Sequence, residues 1–114
     1  MDSVDSVDVV ARVRTICEQL PGTTEKVSHG APSFFAGKQF AAVRPDGHHG
    51  RTEAHLVCAA PRGVQEELIE DDPDRFFRPP YVGGRGWIGV RLDGGVDWDE
   101  IAAILAEAHR TITG

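Results

Sequence analysis

The sequence contains only two cysteines, Cys17 and Cys58, too few for the disulfide framework that staples small secreted domains. One falls on a predicted helix face and the other in a predicted strand, which marks both as small buried apolar residues of a reducing compartment. No apolar run approaches the ~18 residues of a membrane span. The opening MDSVDSVDVV is acidic and alternates polar with apolar residues, so it lacks the basic start and apolar centre of a secretory signal. These absences point to a cytoplasmic protein with no membrane partner. Internal repeats, low-complexity tracts and linkers are missing, as is the G-x-x-x-x-G-K-[ST] phosphate loop. Positive charge is in deficit too: the formal net charge is −6, which on its face disfavours a polyanionic partner.

What is present is enough for one domain over residues 1–114. A chain of this size buries roughly two thirds of its unfolded surface without needing metal or disulfide staples. Its charge is unevenly placed. Residues 63–74 carry six acids and no base, whereas residues 75–92 carry four arginines and no acid. The acids sit in helix-like segments and the bases in strand-like ones, so a basic sheet face beside acidic helices is one outcome; an ordinary solvated surface is the plainer one.

The spacing of Val10, Val13, Cys17 and Leu20 predicts a helix from about Asp5 to Leu20. Asp2, Asp5 and Asp8 favour its positive end and Pro21-Gly22 stops it. Extended segments follow through His29 and Ser33-Phe34-Phe35, with a tight hairpin at Gly37-Lys38 leading into Gln39–Val43. Pro45–Gly50 reads as a turn or loop. Glu53–Ala59 alternates as a strand, with Ala54, Leu56 and Cys58 on one side and Glu53, His55 and Val57 on the other. A second helix is predicted over Arg62–Glu70, then a short turn capped by Asp72-Pro73 that runs through Phe76. Tyr81-Val82, a glycine turn and a strand over Trp87–Leu92 come next. A final helix starts at Asp97, with Glu100 completing a capping-box pattern, and its predicted buried stripe is Ile101, Leu105, Ala108 and Ile112. The order predicts an α+β fold: an antiparallel sheet with helices on one face.

The stretch GRGWIG, Gly84–Gly89, matches the dinucleotide fingerprint G-x-G-x-x-G. That fingerprint works only between a strand and a helix, where the helix N-terminus meets the pyrophosphate. Here Val90, Arg91 and Leu92 continue as a strand, so a glycine hairpin over Gly83–Gly86 is expected instead. On the outward side of that strand stand Trp87, Gly89 and Arg91. They form either a platform for a base or phosphate, or simple packing in which Gly89 relieves crowding.

No catalytic constellation emerges, and neither an enzyme nor a cofactor is expected. Ser28 and Ser33 flank His29 without a nucleophile elbow. Cys58 is expected to be unreactive among its apolar neighbours. His29 is either an anion contact or acid/base group, or a hydrogen-bonded structural histidine. His48, His49 and His55 lack the spacing that fixes a metal. The acids Glu70, Asp71, Asp72 and Asp74 resemble the acidic ridges of frataxin-like iron proteins, but helix-end solvation explains them and no metal is expected.

The order of Leu20-Pro21-Gly22, a His-Gly-x-Pro-x-Phe segment at His29–Phe34, the Gly37-Lys38 hairpin, and a proline-tyrosine-glycine stretch ending Gly86-Trp87-x-x-Val90 covers nearly the whole chain. It resembles the MmcQ/YjbR-like family of small bacterial proteins. The resemblance implies an α+β fold related to CyaY-like and secretion-chaperone-like architectures. It also implies DNA binding through two hairpin wings, here at Gly37-Lys38 and Gly83–Gly86. Lys38 and Arg85 would be the wing-tip bases, with Arg44, Arg78 and Arg91 nearby, each contacting phosphate without reading sequence. The second helix departs from a groove-reading pattern, since it carries Glu66, Glu67 and Glu70. Double-stranded DNA is therefore expected to bind weakly and with salt sensitivity. The alternative is a small anionic molecule or a protein partner held on a Tyr81, Trp87 and Arg91 face, with His29 as a further contact.

Overall fold

The period of three and four at the start of the chain produces helix α1 (Ser6–Glu18) in the computed structural model, which describes residues 6–48 and 50–114, with side chains from residue 9 onward. The expected helix start at Asp5, the acids at its positive end (Asp2, Asp5 and the Asp8 carboxylate) and His49 lie outside what is described. Val9, Val13 and Cys17 are buried while Val10 and Leu20 are half-buried, so the stripe sits slightly rotated from its expected position. The final turn tightens before Pro21, with Gln19 N–H donating to Ile16 O and Leu20 N–H to Cys17 O.

The strands are β1 (Thr24–Ser28), β2 (Ala31–Ala36), β3 (Lys38–Arg44), β4 (His55–Cys58), β5 (Phe76–Phe77) and β6 (Ile88–Arg91). They form one antiparallel sheet in the order β1-β2-β3-β4-β6-β5. The remaining helices are α2 (Val64–Asp71) and α3 (Trp98–Thr113). The predicted α+β architecture is thus the observed one. Among the described residues no helix is long and apolar enough to cross a membrane.

Two turns decide how β1, β2 and β3 present their side chains. His29 and Gly30 have φ of 53° and 79° and close a two-residue hairpin between Ser28 and Ala31. Positive φ at both positions matches the right-handed twist of the flanking strands. Further on, Phe34 faces Ala41 and Phe35 faces Gln39, which leaves Phe40 as an extra residue in β3. This bulge lets Phe40 and Ala41 both lie buried, with the Phe40 ring meeting His109 of α3 edge-on at 5.5 Å. Gln39 is thereby placed on the same side of the sheet as Ala42.

The core lies between the sheet and the helices. Phe34, Phe40, Leu56, Ile88, Ile101 and Leu105 are its largest fully buried side chains, each contributing ~1.5–3 kcal/mol by leaving water. Asp97 caps α3, its carboxylate accepting from the N–H groups of Asp99 and Glu100 at 3.1 and 3.3 Å. Glu100 pairs with Arg75, so one half of the expected capping box forms. Ile112 sits half-buried near the helix end rather than in the core stripe.

The expected second wing does not form. Tyr81-Val82 is not a strand, and Gly83–Arg85 is a single 3-10 turn inside the loop joining β5 to β6. Pro79 and Pro80 cannot donate to a strand ladder, and Tyr81 has a left-handed φ of 68°. The pairing with β6 comes instead from Phe76 and Phe77.

Candidate anion-binding cleft

Alternation along the strands gives the sheet a second face, opposite the one that carries buried Leu56, Cys58, Ile88 and Val90. Across it Arg44 pairs with His55, Ala42 with Val57, and Val57 in turn with Gly89. Gly89 is a glycine because the Phe77 ring lies on it: a Cβ there would come within 2.3 Å of Phe77 Cε2. The same ring meets His55 edge-on at 5.3 Å and lies under the Arg51 guanidinium at 3.5 Å. Two of the three glycines of GRGWIG are therefore explained by packing and turn geometry. Gly89 accommodates an aromatic ring, and Gly86, with φ of 88°, closes the 3-10 turn.

The loop between β5 and β6 folds over this face and is tied to α2 from behind. The Gln65 side chain is buried and its Nε2 donates to Gly83 O at 2.9 Å and to Trp87 O. Between the loop and the sheet is a cleft of about 720 Å³, within the usual range for small-molecule sites. Ala42, Val57 and Trp87 contribute apolar floor, and Pro79, Pro80, Tyr81 and Val82 a wall. Trp87 is only 6% exposed and the Arg85 guanidinium covers its ring at 5.0 Å. The mouth carries the non-glycine residues of left-handed φ among those described, His29 and Tyr81. For a residue as bulky as tyrosine this conformation is strained, and such strain gathers at functional sites.

The charge around the cleft is one-sided. Lys38, Arg44, Arg85, His29, His48 and His55 all line it, and among the described residues no aspartate or glutamate does. Five arginines elsewhere (Arg14, Arg51, Arg75, Arg91 and Arg110) are paired with carboxylates. Among the described residues none of the three cleft bases has such a partner. Arg44 is the informative case. It is half-buried, its Nη1 donates to His29 O at 3.0 Å, and burial lowers its pKa. Arg14 and Arg91 move the opposite way, because hydrogen bonds to Glu25 and Asp93 favour their charged forms. A partly desolvated guanidinium with donors to spare and no counter-charge is poised for an anion.

Beside Arg44 across the ladder, His55 is buried, and burial lowers its pKa. Its Nδ1–H donates to Glu53 O at 3.2 Å. His29 Nδ1 shares a 3.2 Å hydrogen bond with Ser28 Oγ.

Six of the eight residues singled out from the sequence (His29, Lys38, Arg44, Tyr81, Arg85 and Trp87) meet in this cleft. Two do not. Arg91 turns away to Asp93 and to Asp74 O, and the Phe77 ring fills the space over Gly89 between it and Trp87. The anticipated Tyr81, Trp87 and Arg91 face is thus not one surface. Arg78 packs its stem against Gly83, where a Cβ would lie 2.6 Å from Arg78 Cγ. His55 was legible as outward-facing but not as a partner of Arg44, and Gln65 carried no signal because its role depends on a loop eighteen and more residues away. Both cysteines are buried, which pushes their thiols up to about 12 and leaves them unreactive at neutral pH. Among the described residues no group of three or more His, Cys, Asp and Glu could hold a metal ion.

Comparison with known proteins places this architecture. The YjbR family model matches residues 18–111. The crystal structure of the Deinococcus radiodurans protein DR2400, a DUF419 domain, superposes with a TM-score of 0.77 over 91% of this chain and 78% of that one, at 20% sequence identity. At that identity the likeness concerns the fold. Among curated proteins nothing matches.

Proposed function

The chain belongs to the YjbR family, and from that premise and the chemistry of the cleft we propose that it is a binding module for a small anionic ligand, rather than an enzyme. The observation that carries this reading is Arg44: half-buried and, among the described residues, paired with no carboxylate, in a cleft that those residues line with bases and histidines and with no acid. In a chain of net charge −6, a concavity that the described residues line with cations and no acid favours a negative ligand, and low-dielectric walls focus the field of those cations. The apolar floor and wall supply contact area and the cations supply orientation.

A second reading, binding of duplex DNA, is supported by the exposed bases Lys38, Arg78 and Arg85, which have no carboxylate partner among the described residues. It is weakened by the loss of the second hairpin wing and by Glu66 and Glu67 in the first turn of α2. Titration calorimetry with inorganic phosphate, citrate and a short duplex, at about 50 and about 200 mM salt, separates the two. The cleft reading requires a small anion to bind and Arg44→Gln to lose it. If only the duplex binds, with affinity falling at least tenfold between those salts and vanishing in a Lys38→Ala/Arg85→Ala variant, the DNA reading replaces it.

A further inference from the structure

The cations of the cleft are not gathered at one point. Along β3 the positions on the open face are Arg44, Ala42 and Gln39, the last returned to that face by the bulge at Phe40. Arg44 stands at one end, paired with His55 and bonded to the backbone of His29. Gln39 and Lys38 stand at the other. Trp87 is level with them, because Ile88 pairs with Cys58, which pairs with Ala41 on β3, and Ala59 N–H donates to Phe40 O. Arg85, stacked on Trp87, belongs to this second end. Two open-face steps of a strand separate the ends by roughly 13 Å. Ala42 and Val57 lie between them as a floor with no charged group.

Resting on the reading of the cleft as an anion site, we infer that its ligand is an elongated dianion: two acidic groups joined by an apolar spacer. One acid meets Arg44, and the other meets Lys38 and Arg85. A single compact anion would engage one end and leave the other cations without a partner. A long apolar monoacid would cover the floor but again satisfy only one end. The Trp87 ring under Arg85 holds that guanidinium over the cleft while contributing apolar surface beside it.

The test is calorimetric titration of the whole chain at low ionic strength with sebacate, decanoate and succinate. Sebacate and decanoate share a chain length and differ in one terminal acid, while succinate has two acids too close together to span the cleft. Sebacate is expected to bind at least ~10-fold more tightly than either. Arg44→Gln and, separately, Lys38→Ala/Arg85→Ala are each expected to reduce it to the affinity of decanoate. Lys38 and Arg85 are exposed, so the double variant tests the far end without disturbing the core. Decanoate binding within a factor of ~2 of sebacate would overturn the two-ended ligand and leave the anion site standing. Phosphate or succinate binding as tightly as sebacate would do the same. No binding of any of these anions, citrate included, would overturn both readings together.

Discussion

Replacing Gly89 by alanine is the sharpest structural perturbation the sheet offers. The new Cβ would meet Phe77 ring atoms at 2.3, 2.4 and 2.7 Å, whereas carbon–carbon contacts settle near ~3.5–4.0 Å. The ring would therefore have to retreat by more than ~1 Å. It has little room to do so. Phe77 is 8% exposed, lies edge-on to buried His55 and sits under the Arg51 guanidinium. Overpacking of this kind costs ~1–3 kcal/mol, and a rigid ring held on two sides puts the expected value in the upper half of that range. Urea unfolding of the parent, Gly89→Ala, Phe77→Ala and the double variant measures it as a cycle. In the Phe77→Ala background the clash is gone, and alanine at 89 is expected to be neutral or to stabilise by ~0.5–1 kcal/mol, since glycine is the poorer strand residue. A cost below ~0.5 kcal/mol in the parent, or an equal cost in both backgrounds, would refute the account of why a glycine stands there.

Gln65→Ala leaves the carbonyls of Gly83 and Trp87 without their donor. It is expected to destabilise by ~2 kcal/mol or more in urea unfolding and to weaken anion binding by loosening the loop wall. His55 has its pKa lowered by burial, so the unfolded chain takes up its proton first as pH falls. Stability is therefore expected to be full above the ordinary imidazole value near ~6.5 and to decline as pH drops from there through the lower folded value; thermal melts across pH should show part of that decline removed in His55→Gln. Arg91→Ala removes a cation paired with Asp93 outside the cleft, so calorimetry should find anion affinity within a factor of ~2 of the parent.

Much of the fold was legible because local signals agreed with the tertiary outcome. The apolar period of α1, the alternation of β4 and β6 and the Asp97 cap each name an element that forms, and Val13, Cys17, Leu56, Cys58, Ile88 and Val90 are buried as their spacing requires. The loop between β5 and β6 was misread because its glycines resemble a hairpin tip, and nothing local reveals that Gln65 and a pair of prolines shape it into a cleft wall. The bulge at Phe40 was equally hidden, since a one-residue offset shows only when β2 and β3 are paired. The individual cleft bases could be named in advance from the charge blocks and the family resemblance. Which of them keep clear of acids could not, because pairing of Arg91 with Asp93 and of Arg51 with Glu53 depends on side-chain direction.

The most direct test of the central claim, that the cation-lined cleft anchored by Arg44 is an anion site, is to map amide and indole chemical-shift changes by NMR as inorganic phosphate and then sebacate are added at low ionic strength. The account predicts changes concentrated at His29, Lys38, Arg44, Arg85 and the Trp87 indole, with Arg91 and the exposed face of α2 unmoved. Changes centred away from these residues, or none with either anion, would contradict it.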